Sequence, residues 1–293
     1  MKYIFLNLKR FDIASEYGGV NSISAPAQWG AHIAHELTAR LSDIAHSAAL
    51  HEYQFPVFLP EAHLIPAVSA LAESEGCIRP HIGCQGVYHA DTAKGGNFGA
   101  FTTLRTANAM RQLGCTWTII GHSEERRAKA EYMALAGAEP EHIRAAVNTL
   151  LMQEVRCARK AGLSVLFCIG ETAEEVPRRA EVLSEQLAAL DADAGDAGNT
   201  ETVIGYEPIW AIGPGKTPPS AQEIAQTARI VKTLCAYPLV YGGGLKKENA
   251  RAVGAVPELD GGLIALTRFS GDIGFYPQEY SEIIQEYMKG AAV

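Results

Sequence analysis

The chain has 293 residues, 47% of them hydrophobic, and a formal net charge of −8. That length and apolar content suffice for one large core, and the acidic balance with only short basic runs (Lys246-Lys247, Arg126-Arg127) argues against nucleic-acid binding. The first apolar run, Tyr3–Leu6, is too short for a signal peptide or a membrane span, so a soluble cytoplasmic protein is expected.

In chain order, strand-like runs fall at Tyr3–Asn7, Pro56–Leu59, His81–Cys84, Trp117–Gly121, Ser164–Ile169, Thr202–Tyr206, Leu239–Tyr241 and Gly262–Leu266. Helix-like runs lie between them at Gln28–Ala45, Ile65–Glu75, Leu104–Leu113, Glu141–Ala161, Pro177–Leu190, Ala221–Cys235 and Lys247–Val253, and Pro277–Met288 closes the chain. Strand-then-helix alternation means parallel strands, and eight such units predict an α/β fold of the (β/α)8 barrel type, a single domain over 1–293. An open dinucleotide-binding sheet would want Gly-x-Gly-x-x-Gly after the first strand, where Asn7-Leu8-Lys9 stands instead. Two segments read as insertions, one near 89–98 and one near 190–200. The second, rich in Asp, Ala and Gly, reads as a solvated surface loop.

The six cysteines are scattered with no Cys-x-x-Cys, which reads as buried thiols in a reducing compartment rather than a zinc site. His32 and His35 read as a polar helix face, and no metal and no cofactor is expected.

Barrel enzymes carry their chemistry at the carboxyl ends of the strands. Here those ends hold Asn7 and Lys9, His122, Glu171, Glu207 and Gly242-Gly243. Glu207 follows a short apolar strand and precedes a Pro-aromatic hinge and a Gly-rich tip. A carboxylate under a loop that can close suits removal of a carbon-bound proton away from water. His122 is placed to polarise a carbonyl, and the Ser123-Glu124-Glu125 that follow have the composition of a helix start, which favours a neutral imidazole.

Together, Asn7-Leu8-Lys9, Gly121-His122-Ser123-Glu124, Tyr206-Glu207-Pro208-Ile209-Trp210-Ala211-Ile212-Gly213-Pro214-Gly215-Lys216 and Tyr241-Gly242-Gly243 resemble the triosephosphate isomerase family, from about Lys2 to about Met288. The resemblance implies that Glu207 is the base and His122 the electrophile, a pairing already worked out for that family. It implies that Lys9 holds phosphate and offsets developing charge, and that Asn7 donates to a substrate oxygen. Glu124 would hold Lys9 or act as a helix-cap acid. Trp210, Ala211, Ile212, Gly213, Pro214, Gly215 and Lys216 would form a lid, as in the family. Gly213, Gly243 and Gly244 would serve the phosphate. Trp210 and Glu171 match a pair expected to touch when the lid is open, and Tyr241 would meet the lid when it closes. The loop that carries Thr102 matches one that enters a partner subunit, where Thr102 would steady the partner's Lys, so a homodimer is expected.

The pattern breaks at several places. Ala265-Leu266 stand where the family has a Gly-Gly pair whose N–H groups approach the phosphate, so the phosphate grip must differ. Arg268 is a candidate replacement, against the reading of a surface Arg paired with an acid. Gly244 replaces a Ser, Leu104 replaces a Glu that pairs across subunits, and Gly121–Arg127 carries one acid more than usual. The expected activity is aldose–ketose isomerisation of a small phosphorylated sugar, first of all dihydroxyacetone phosphate with glyceraldehyde 3-phosphate. A longer ketose phosphate such as an erythrulose phosphate is the alternative within this chemistry, and a non-catalytic sugar-phosphate-binding barrel the alternative outside it.

Overall fold

In the computed structural model, residues 1–22, 25–45, 48–191, 199–213 and 215–292 are described. All strands are parallel: β1 (Lys2–Asn7), β2 (Tyr53–Gln54), β3 (Pro56–Leu59), β4 (His81–Cys84), β5 (Trp117–Ile120), β6 (Ser164–Ile169), β7 (Thr202–Tyr206), β8 (Leu239–Tyr241) and β9 (Gly261–Ile264). The two-residue β2 and β3 flank Phe55 and both pair with β1, so they share one position in the ring. β9 pairs back onto β1, from Tyr3↔Gly261 to Leu6↔Ile264, and closes an eight-position (β/α)8 barrel.

Side chains on a strand alternate between faces, which separates two cores. Tyr3, Phe5, Phe58, Trp117, Ile119, Leu166, Cys168, Val203, Val240 and Leu263 form the cluster inside the ring. Phe5 stacks on Phe58 at 5.9 Å and meets Trp117 edge-on at 5.2 Å, so the interior is packed rather than hollow. The alternate residues Ile4 and Leu6 belong to the larger outer core under the helices.

The surrounding helices are α1 (Trp29–Asp43), α2 (Leu64–Glu73), α3 (Ala107–Gln112), α4 (Ser123–Leu135), α5 (Pro140–Lys160), α6 (Arg179–Asp191), α7 (Ala221–Leu234), α8 (Lys247–Gly254) and α9 (Pro277–Ala291). Their starts follow local chemistry. Ser220 and Glu223 cap α7 reciprocally, with Ser220 N–H donating to Glu223 Oε2 at 2.8 Å and Glu223 N–H to Ser220 Oγ at 3.3 Å. α7 then buries Ile224, Thr227, Ala228 and Val231, one stripe at helical spacing. Thr106 caps α3, which is why that helix begins three residues after the expected Leu104.

The sequence marks the start of α4 but not its full length. None of its residues is buried, so it lacks the apolar stripe that periodicity detects. The eighth ring strand ends at Ile264 rather than Leu266, because the chain turns into a loop closed by an Arg268–Gly274 antiparallel bridge. The 89–98 segment is tied together by Asp91, which accepts from Thr92 N–H at 2.7 Å and Asn108 N–H at 2.9 Å. Phe98 at its tip is 91% exposed. Most of the 190–200 segment, 192–198, lies outside the described residues, as does Pro214 of the lid. Among the described residues, no helix is long and apolar enough to cross a membrane.

Candidate active site

The carboxyl ends of the strands surround a cavity of about 920 Å³. Asn7, Lys9, His122, Glu124, Glu207, Gly213 and Gly244 all line it, so the ring gathers most of the residues singled out in the sequence.

Glu207 follows β7 and is nearly inaccessible, with 2% of its surface exposed. Its backbone passes so close to Gly170 that a Cβ there would lie 1.9 Å from Glu207 O, so only glycine fits beside the base. Glu207 Oε1 lies 3.1 Å from His122 Nε2, and Oε2 accepts the Ser123 N–H at 3.0 Å. His122 caps α4: its Nδ1 accepts the Glu124 N–H at 3.3 Å. An accepting Nδ1 directs the other ring nitrogen, Nε2, at the carboxylate as the donor. The helix N-terminus thus fixes the tautomer.

The turn that carries His122 is held from both sides. Gly121 adopts φ of +79°, a left-handed conformation that glycine supplies freely. Its N–H donates to Glu125 Oε2 at 2.6 Å, and its carbonyl accepts from Arg126 Nε at 2.8 Å. Arg126 also donates to Cys168 O at 2.9 Å and Asn148 Oδ1 at 2.8 Å, joining β5 to β6 and α5. Burial brings the Arg126 guanidinium down to about 10. Burial, then the neighbouring Glu207, pushes the Cys168 thiol well up, so it stays protonated beside the base. The extra acid in the sequence, Glu125, therefore works inside the subunit. It also pairs with Lys129, which bridges to Glu154 at 3.0 Å.

Two residues past β1, Lys9 adopts φ of +40°, and its Nζ lies 2.7 Å from Glu124 Oε1. Burial works against charge on Glu124, but the Lys9 ammonium outweighs it and holds the carboxyl below its usual value. Asn7 Oδ1 accepts the Lys9 N–H at 3.1 Å. Gln85, just past β4, donates to Lys9 O at 2.9 Å and so braces the same turn. Gln85 carries no motif in the sequence, and its place one residue beyond a strand end is the available signal.

The segment expected to form a lid leaves the barrel as a single turn, Ile209–Ala211. Trp210 Nε1 donates to Glu171 Oε1 at 3.0 Å, and the same oxygen accepts from Tyr206 at 3.0 Å and Arg179 at 2.7 Å. Tyr241 turns its hydroxyl to Gly243 O at 2.7 Å rather than to the lid. The Trp210–Glu171 contact is the one the family resemblance led one to expect of an open lid. Ile209, Ile212 and Gly213 face the cavity, while Trp210, Ala211, Gly215 and Lys216 do not line it.

Two expected phosphate ligands sit elsewhere. Gly243 does not line the cavity, because the Tyr241 hydroxyl and Pro208 occupy the space beside it; Gly242 lines it instead. Arg268 lies in a separate pocket of about 390 Å³. Its guanidinium pairs with Glu279, Nε to Oε1 at 3.0 Å, and stacks 4.0 Å over Tyr276. Arg268 is thus the surface arginine of the alternative reading, not a cavity residue. Thr102 lies exposed on its loop, away from the cavity. The β9 side of the cavity is apolar, formed by Leu263, Ala265, Leu266 and Phe269 with Leu245. No cluster of His, Cys, Asp or Glu suited to a metal ion occurs among the described residues.

The triosephosphate isomerase family model matches residues 32–272. The chain belongs to the triosephosphate isomerase family. Among its relatives, the triosephosphate isomerase of Prosthecochloris aestuarii is 33% identical over 218 residues, covering 70% of this chain and 77% of that protein. That of Nitratidesulfovibrio vulgaris is 34% identical over 232 residues, covering 74% and 80%. The crystal structure of the Bartonella henselae triosephosphate isomerase superposes with a TM-score of 0.68 at 21% identity, over 98% of this chain and 99% of that one, which speaks to the fold. Membership of the triosephosphate isomerase family makes this chain an isomerase, of the intramolecular oxidoreductase class.

Proposed function

We propose that the protein interconverts a small ketose phosphate and its aldose through an enediolate, with dihydroxyacetone phosphate and glyceraldehyde 3-phosphate as the family's pair. The observation that carries this is the 3.1 Å contact between Glu207 Oε1 and His122 Nε2 inside a cavity that also holds Lys9. Both groups reach the space where two adjacent substrate carbons would sit.

In this mechanism the substrate displaces the carboxylate from Ser123 and His122. Glu207 then takes the proton from one carbon, and the electron pair forms the carbon–carbon double bond. The carbonyl oxygen becomes the enediolate oxygen, stabilised by His122 Nε2–H and Asn7. Lys9 offsets the negative charge and is aimed by Glu124. Glu207 returns the proton to the neighbouring carbon, and the hydroxyl proton of the first carbon passes through His122 Nε2 to the oxygen of the second, so that the first carbon ends as the carbonyl and the second as the alcohol. Gly213 and Gly244 supply backbone N–H groups to the phosphate. Closure of the lid over Trp210–Lys216 excludes water and keeps the intermediate from escaping.

No step calls for a metal or nucleotide cofactor. The working unit is a homodimer, with Thr102 of each copy reaching the other's Lys9, in the cytoplasm. The test is an isomerisation assay on dihydroxyacetone phosphate with His122→Gln as control. Turnover that falls by about 10²–10⁴-fold in the variant, as expected for loss of a positioned proton donor, supports the reading. Equal turnover in both proteins refutes the role of His122.

A further inference from the structure

We propose that Leu266 and Phe269 are specificity-determining residues that move the substrate phosphate off β9 and favour a ketose phosphate one carbon longer than a triose. This rests on the isomerase reading above and deepens it.

Leu266 and Ala265 line the cavity directly after β9, and neither adopts a positive φ. A turn of two glycines could bring bare N–H groups against an anion; here Leu266 puts hydrocarbon at that place. Phe269 continues the apolar wall, with Leu263 and Leu245 beside it. Phe269 is not a floppy loop residue. The loop that presents it is closed at its base, where Thr267 N–H and Arg268 N–H both donate to Gly274 O at 3.1 Å and Gly274 N–H returns to Arg268 O at 3.2 Å. Arg268 then pins that base to α9 through Glu279 and Tyr276. The arginine outside the cavity therefore acts as the anchor of the wall inside it.

A phosphate dianion against such a wall loses water without gaining donors, which is strongly unfavourable. It is driven outward, toward Gly213 and Gly244. The reacting carbons stay fixed between His122 and Glu207 at the strand ends. The substrate must then span a greater distance, and one added hydroxylated carbon supplies it. Space is available, since the cavity is not closed off at the strand ends but runs on to Ala130, Ile143 and Val147 of α4 and α5.

The test compares kcat/KM for dihydroxyacetone phosphate and for the two four-carbon erythrulose phosphates in the native protein, Leu266→Gly and Phe269→Ala. The native protein should favour a four-carbon substrate by about tenfold or more, the range a single methylene contact commands. Each variant should shift the ratio toward the triose by about tenfold, mainly through a lower KM for the triose. A thermal melt of each variant shows whether it is folded, and either folded variant suffices. A ratio unmoved in a folded variant, or a native preference for the triose, overturns the proposal and leaves the isomerase reading standing. Absence of turnover on all three substrates overturns that reading, and this proposal with it.

Discussion

At the scale of single residues, two acids that look alike in sequence do opposite things. Glu207 is held as a hydrogen-bond acceptor by Ser123 N–H and by His122. Glu154 is pushed up to about 9, first by burial and then by Glu125. The native chain therefore keeps a proton on Glu154 that the unfolded chain sheds near 4.5, so stability from this group falls as pH rises from about 4.5 to about 9. Glu154→Gln, which mimics the protonated acid, should lose that slope. Thermal melts of both proteins between pH 5 and pH 9 check it, and parallel curves would contradict it. The residues proposed as catalytic, all of which line one cavity, were legible as candidates because each sits at a strand end beside a distinctive neighbour. Gln85 and the Glu125–Arg126 clamp on Gly121 were not, because they act through backbone groups that only the folded turn brings near.

At the scale of elements, the lid and α4 differ in how they are secured. The lid rests on the Trp210–Glu171 hydrogen bond of 3.0 Å, at the end of a hub where Tyr206 and Arg179 share the same oxygen. Trp210→Phe removes the donor and keeps the ring. It should destabilise the open lid by about 1 kcal/mol and tighten a substrate analogue by about fivefold, with slower release. Titration of phosphoglycolate against both proteins reads this; unchanged affinity would remove the bond from lid control. The strands were legible nearly to the residue, since each is a short apolar run with a turn behind it. α4 was legible only at its start. Its helix is fixed by the His122 cap and by side-chain pairs such as Glu125–Lys129, not by an apolar face.

At the scale of the whole molecule, the ring closes through β1 and β9, and large apolar side chains stay exposed on the monomer, among them Tyr132 and Leu135 of α4 and Phe98. The loop through Phe98 and Thr102 stands out from the barrel, with Phe98 91% and Leu104 40% exposed. Large apolar side chains on a protruding loop fit burial against a second copy. A mass near 63 kDa, about twice the 31.4 kDa chain, is expected by sedimentation, and Phe98→Glu should shift it to the monomer. A monomeric native protein would refute the dimer. The barrel was legible from strand–helix alternation, which dictates parallel strands. The apolar β9 wall was legible only as a broken glycine pair; that the displaced role does not pass to Arg268 depends on the loop closed by Gly274, which no local pattern announces.

The central claim is that Glu207 moves a carbon-bound proton. Dihydroxyacetone phosphate and the erythrulose phosphates, each incubated with the protein in heavy water and followed by proton NMR, test it most directly. The native protein should place solvent deuterium on carbon in at least one of them. Glu207→Asp, with its carboxylate drawn back by one methylene, should do so about a hundredfold more slowly. No exchange by the native protein, or equal exchange by the variant, would contradict the account.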